Sequence, residues 1–121
     1  MMETEIKHFR VALASSNGDD VDMHFGRAND FYIYQFLVDE WVFVERRTMS
    51  PVCMGGYHLE SQMDINVSKL ADCQYVAASR IGVGAMASLQ KAGIVGMTLP
   101  GDIVDALNKI YSYNEIQNLF K

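Results

Sequence analysis

The chain has 121 residues, half of them hydrophobic and 21% charged, which is enough for one domain with its own core and excludes a disordered chain. A net charge of −5 at neutral pH and a pI near 5.0 exclude a general nucleic-acid binder, which needs a basic face. An anionic ligand must then be held by a local cluster of positive charge and not by the field of the whole molecule.

Cys53 and Cys73 are the only cysteines and do not form a C-x-x-C pair, a usage that excludes a disulfide framework and fits a reducing cytoplasm. The segment Met1 to Glu5 is polar and acidic, without the apolar run of a signal peptide. No stretch approaches the roughly 18 apolar residues of a membrane span. The chain therefore reads as a single cytoplasmic domain over residues 1–121, with no membrane partner.

Phe9 to Ala14 reads as a buried first strand, ended by the polar loop Ser15 to Asp20. Phe31 to Val38 is rich in aromatic and β-branched residues and predicts a second strand. Asp39 and Glu40 interrupt it, and Trp41 to Arg46 returns as a third strand, making a hairpin. Residues 48–56 cannot stay regular, because Pro51, Gly55 and Gly56 break them. From His58 the spacing becomes helical, with Leu59, Met63, Val67, Leu70 and Ala71 on one face.

Gln74 to Ser79 is a compact buried strand, followed by the glycine-rich turn Ile81 to Gly84. Ala85 to Ala92 predicts a helix that Gly93 terminates, and Ile94 to Met97 a short last strand. After Pro100 and Gly101, a helix carries Ile103, Val104, Leu107, Ile110 and Tyr111 on its apolar side. Asn114 and Gln117 have the spacing of a capping box for a separate short helix ending at Phe120. The order β-β-β-α-β-α-β-α predicts an α/β fold, a mixed sheet with helices packed on its faces.

The first candidate site is the turn Val21-Asp22-Met23-His24-Phe25-Gly26-Arg27-Ala28. A neutral imidazole ligates soft and borderline metals, and an arginine three residues on adds a positive charge beside it. Asp22 is placed to orient the His24 ring by a hydrogen bond. Against this stands the ordinary loop histidine bonded to backbone. The second candidate is Ser79-Arg80-Ile81-Gly82-Val83-Gly84-Ala85. Its glycines let backbone approach a ligand, and the following helix N-terminus favours negative charge. Gly82 to Ala87 also satisfies a relaxed G-x-G-x-x-A dinucleotide pattern. The strands before it do not form the βαβ unit which that pattern requires, so it is set aside. A tight turn without a ligand is the alternative.

Cys53 and His58, with Met54 and the glycine pair between them, offer a thiolate and an imidazole for zinc or an iron–sulfur species, although two ligands do not make a structural zinc site. Cys73 reads as a small core residue. No nucleophile elbow or H-E-x-x-H occurs, and the first strand lacks the carboxylate of a nuclease metal site. A small metal-dependent hydrolase is accordingly the least supported reading, and no catalytic residue is assigned.

These residues together resemble a known family. Val11 to Ser16 followed by Val21 to Ala28 is similar to the opening of the dinitrogenase iron–molybdenum cofactor biosynthesis family, the group of NifX, NafY and the NifB C-terminal domain. Leu70 to Cys73, Ser79 to Ala85 and Ala92 to Ile94 resemble its second signature, and the likeness spans about Phe9 to Asp105. The resemblance implies a ribonuclease-H-like fold, a mixed five-stranded sheet with helices on both faces, without nuclease activity. It implies a carrier that holds an iron–molybdenum cofactor or a precursor iron–sulfur cluster between cluster-donor and cluster-acceptor proteins of nitrogenase assembly. His24 occupies the position of the family's favoured cofactor ligand. Arg27, Arg80, Gly82 and Gly84 would then balance the cluster's charge, with Cys53 and His58 as further metal ligands. The chain lacks the radical-SAM cysteine triplet of full-length NifB and the extra N-terminal domain of NafY, so neither cluster synthesis nor docking to apo-dinitrogenase is implied. A protein-interaction or regulatory domain on the same scaffold is the alternative.

Overall fold

The computed structural model describes residues 8–50 and 59–120. Its elements are β1 (Phe9–Ala14), β2 (Asp20–Val21), a 3-10 turn (Phe25–Arg27), β3 (Asp30–Leu37), β4 (Glu40–Thr48), α1 (Leu59–Ser68), β5 (Tyr75–Ala78), α2 (Val83–Lys91), β6 (Val95–Thr98), β7 (Gly101–Asp102) and α3 (Ile103–Asn118). Five strands form one sheet in the order β4-β3-β1-β5-β6. β1 is antiparallel to β3 and parallel to β5, while β3 and β4 are the expected hairpin. This is the ribonuclease-H-like α/β arrangement.

Strand alternation sorts β1 and β5 between two cores. Ala12, Ala14, Val76 and Ala78 face one side, where Val67 of α1 and Ala85 and Leu89 of α2 cover them. Phe9, Val11, Leu13, Tyr75 and Ala77 face the other, under Ile103, Ala106, Leu107 and Ile110 of α3. Strands buried on both faces read as unbroken hydrophobic runs, which is why Val11 to Ala14 and Tyr75 to Ala78 show no polar alternation. Alanines at the centre of the sheet let the helices pack close. Gly96 serves the same end at β6, because a Cβ there would lie 3.0 Å from both Leu89 Cδ1 and Met86 Sδ of α2. Gly93, at φ +81°, ends α2 as its sequence position predicts.

Three expectations are corrected. α3 is one 16-residue helix, so Asn114 and Gln117 do not start a new one. Asn114 turns toward the sheet, where its Oδ1 accepts a hydrogen bond from the Tyr75 hydroxyl at 2.7 Å. The cap that α3 does use is Asp102, whose Oδ1 accepts from Asp105 N at 2.8 Å. Val104 lies off the apolar side and is 66% exposed, because it stands about 100° round the helix from Ile103. Ala71 is exposed as well: α1 stops at Ser68, and tight turns at Leu70 and Ala71 send only Leu70 inward. The two-residue strands β2 and β7, which pair Asp20 with Asp102 and Val21 with Gly101, were not expected at all.

A charge network locks the α1–β5 corner to the sheet. The Arg47 guanidinium grips Asp72 through two bonds of 2.7 Å, Arg10 Nη1 reaches the same carboxylate at 2.7 Å, and Arg47 Nη1 also donates to Lys69 O at 2.7 Å. Hydrogen bonding from Arg47 holds the Asp72 carboxyl well below the usual carboxylate range. A depressed folded pKa means stability that is full above the unfolded value near 4 and lost as pH falls toward the folded one. Asp72 is 43% exposed, so solvent limits the contribution to about 1 kcal/mol. Asp72→Asn is thus expected to lower stability by about 1 kcal/mol at pH 7 and by progressively less below about pH 4. Urea unfolding at pH 7 and pH 3 checks both halves. A loss that is equal at the two pH values would remove the ion pair as its cause.

Candidate functional site

The turn that carries His24 leaves β1 through a loop stiffened by its own side chains. Ser15 Oγ accepts from Gly18 N at 2.8 Å, and Asn17 Oδ1 accepts from Asp19 N at 2.8 Å and Asp20 N at 2.9 Å. Asp22 belongs to this ladder. One oxygen accepts from Ser16 N at 2.8 Å and the other from Ser16 Oγ at 2.5 Å. The expectation that Asp22 orients the His24 ring is therefore corrected: its carboxylate closes the loop and does not bond the imidazole.

Beyond β2 the chain runs along the carboxyl end of β5. Ser79 N donates to Met23 O at 3.0 Å and Phe25 N to Arg80 O at 2.9 Å, on either side of a parallel bridge between His24 and Arg80. The two candidate segments, more than fifty residues apart in sequence, are thus one structural unit. Phe25 nails the turn down: it is 2% exposed and meets the Phe31 ring at 5.4 Å between centroids. Ala28 is buried with it, and Met23 packs against the same cluster. Their neighbours His24 and Arg27 are left exposed. A 3-10 turn over Phe25–Arg27, with Arg27 N donating to His24 O at 3.0 Å, fixes the backbone between them.

Arg80 is also exposed, and two residues later α2 begins with Gly82 as its N-cap. Gly82 has no side chain to cap the helix, and no acid stands in the first turn, so the positive end of α2 is open. The glycines here are not explained by packing or backbone. Gly82 has φ −68°, which any residue adopts, and a Cβ at Gly82 or Gly84 would meet nothing within 4 Å. What they leave is bare backbone amide beside His24 and Arg80. Among the described residues, neither Arg27 nor Arg80 forms an ion pair. The backbone bridge thus sets the exposed residues His24 and Arg80, with Arg27 three positions along the turn, beside the N-terminus of α2 at the carboxyl end of a parallel strand, where open α/β sheets bind ligands.

Sequence reasoning missed Val83. It lies between the two glycines at the start of α2 and is 91% exposed. Its signal was an apolar residue at the first position of a helix, which was read as part of a glycine-rich turn. Cys73 is the core residue expected: burial and the Asp72 charge push its thiol up to about 12, so it holds its proton at neutral pH. Cys53 and His58 lie outside the described residues. Among the described residues no three His, Cys, Asp or Glu side chains converge to hold a metal, and no helix is long and apolar enough to cross a membrane.

Comparisons with known proteins show the family and the fold. The chain is 32% identical over 102 residues to the FeMo cofactor biosynthesis protein NifB of Frankia alni, covering 82% of the chain and 19% of that protein. It is 37% identical over 89 residues to NifB of Klebsiella pneumoniae, covering 69% of the chain and again 19% of the relative. The chain thus spans about a fifth of the length of these relatives. The crystal structure of PH0822 shares the fold, with a TM-score of 0.63 at 23% identity over 84% of this chain and 88% of that one. The family model described as dinitrogenase iron-molybdenum cofactor matches residues 7–113. With His24, Arg27, Arg80 and the glycines all inside the matched span, the chain belongs to the dinitrogenase iron–molybdenum cofactor family.

Proposed function

We infer that this domain is a non-catalytic carrier that holds an anionic metal–sulfur cluster, the iron–molybdenum cofactor or an iron–sulfur precursor, during nitrogenase cofactor assembly. The observation that carries this reading is the bridge between His24 and Arg80 at the uncapped N-terminus of α2. His24 ligates a metal of the cluster through a neutral ring nitrogen. Arg27, Arg80 and the amides around Gly82 and Gly84 balance the negative charge, and Val83 covers part of the sulfide surface. A cluster held by few protein ligands and by charge is exchangeable, as a carrier between a donor and an acceptor protein requires. Cys53 and His58 add further metal ligands. The naming of the relatives as FeMo cofactor biosynthesis proteins supports the cargo. The acidic, cysteine-poor composition supports a cytoplasmic setting without nucleic acid.

The test is an anaerobic titration of the purified protein with isolated iron–molybdenum cofactor, followed by absorbance and by thermal unfolding. Saturation near one cluster per chain is expected. Cluster at 100 times its Kd stabilises the fold by about 2.7 kcal/mol. A protein that stays colourless and unstabilised overturns the carrier reading in favour of an interaction domain.

A further inference from the structure

A cleft lies at the end of the sheet opposite the His24 turn, where β1 begins and the β3–β4 hairpin turns against α3. It has a volume of about 280 Å³ and is lined by Phe36, Trp41 and Tyr111, with Asp39 and Asn108 as its polar groups. The rings are set edge and tilt to one another: Phe36 meets Trp41 at 5.1 Å and 68°, and Tyr111 at 4.9 Å and 42°. Asp39 is presented by a strained turn, since the preceding Val38 is a β-branched residue held at φ +60° and 71% exposed. Glu40 adjoins it, and Glu115 follows Tyr111 by one turn on the same face of α3. Nothing in the cluster site uses these residues.

We propose that this cleft receives the arginine side chain of a basic partner protein, its guanidinium stacked on Trp41 or Tyr111 and bonded to the Asp39 carboxylate. Three features select that occupant. Aromatic faces beside a carboxylate attract a delocalised cation, and arginine both stacks and donates to a carboxylate in a fixed fork. The volume lies at the bottom of the range of small-molecule pockets and suits one side chain more than a cofactor. The chain's charge of −5 draws a basic partner toward it. Docking there leaves the His24 end of the molecule open, so a partner can be held while a cluster is exchanged.

Trp41 is the only tryptophan, so its emission reports the cleft directly. The full chain is titrated at constant ionic strength with N-acetyl-arginine methylamide, with its neutral citrulline counterpart, and with tetramethylammonium chloride. The arginine probe is expected to give a saturable emission change, with the citrulline probe weaker by at least about fivefold, the scale of a charge-assisted contact. Asp39→Asn is expected to remove that advantage, while His24→Ala leaves it intact. Equal binding of citrulline, equal binding of tetramethylammonium, or no saturable response to arginine would each overturn the proposal.

Discussion

Phe25→Ala is expected to cost about 3–5 kcal/mol of folding stability, the range for removing a buried aromatic ring. That is a large share of the roughly 5–15 kcal/mol available to a domain of this kind. Phe25 fills the space between the His24 turn and the sheet and contacts Phe31, in the core that also takes Ala28, Met49, Val67 and Leu70. Removing its ring opens a cavity directly beneath the bridge between His24 and Arg80. Urea unfolding followed by far-UV circular dichroism measures the loss. A cost below about 1 kcal/mol, typical of an exposed or repacked side chain, would mean that the turn is not docked as described.

Gly82→Asp is expected to have opposite effects on folding and on binding. An aspartate at this N-cap accepts from the first-turn amides of α2 and stabilises the helix by a few tenths of a kcal/mol. The same carboxylate occupies the open amides and places a negative charge beside Arg80. Binding of an anionic cluster is then expected to weaken by at least about tenfold, or roughly 1.4 kcal/mol. Outside its chain neighbours no atom stands within 4 Å of the new Cβ, so the substitution brings no clash at that atom within the protein. Undiminished affinity in this variant would remove the α2 N-terminus from the site.

The main strands and the hairpin were legible because their signals are local. Val11 to Ala14, the aromatic run of β3 and the buried Tyr75 to Ala78 each carry their own hydrophobic pattern. What escaped were the features made by distant pairs. β2 and β7 hold two residues each, too few for any periodicity, and exist only because Asp20 and Asp102 lie side by side. Asn114 has the spacing of a cap, yet its partner is Tyr75, 39 residues earlier. Asp22 looked like a neighbour for His24, but Ser16, six residues before it, takes both of its oxygens.

The candidate site followed the same rule. His24, Arg27, Arg80, Gly82 and Gly84 were each visible as residue types suited to an anionic ligand. Their union was implied only by family resemblance, because the parallel bridge joining the two segments leaves no local trace in either. Val83 was overlooked because exposure is a tertiary property: an apolar residue after a glycine reads equally as core.

The central claim is that the exposed His24 imidazole binds the cluster without supporting the fold, and one paired measurement addresses it. Wild-type protein and His24→Ala are titrated anaerobically with isolated iron–molybdenum cofactor, and both are unfolded in urea without it. The account predicts at least about tenfold weaker cluster binding in the variant, equivalent to roughly 1.4 kcal/mol, with an unfolding midpoint unchanged from wild type. Equal affinity in the two proteins would contradict it and leave the turn as a structural feature of the family.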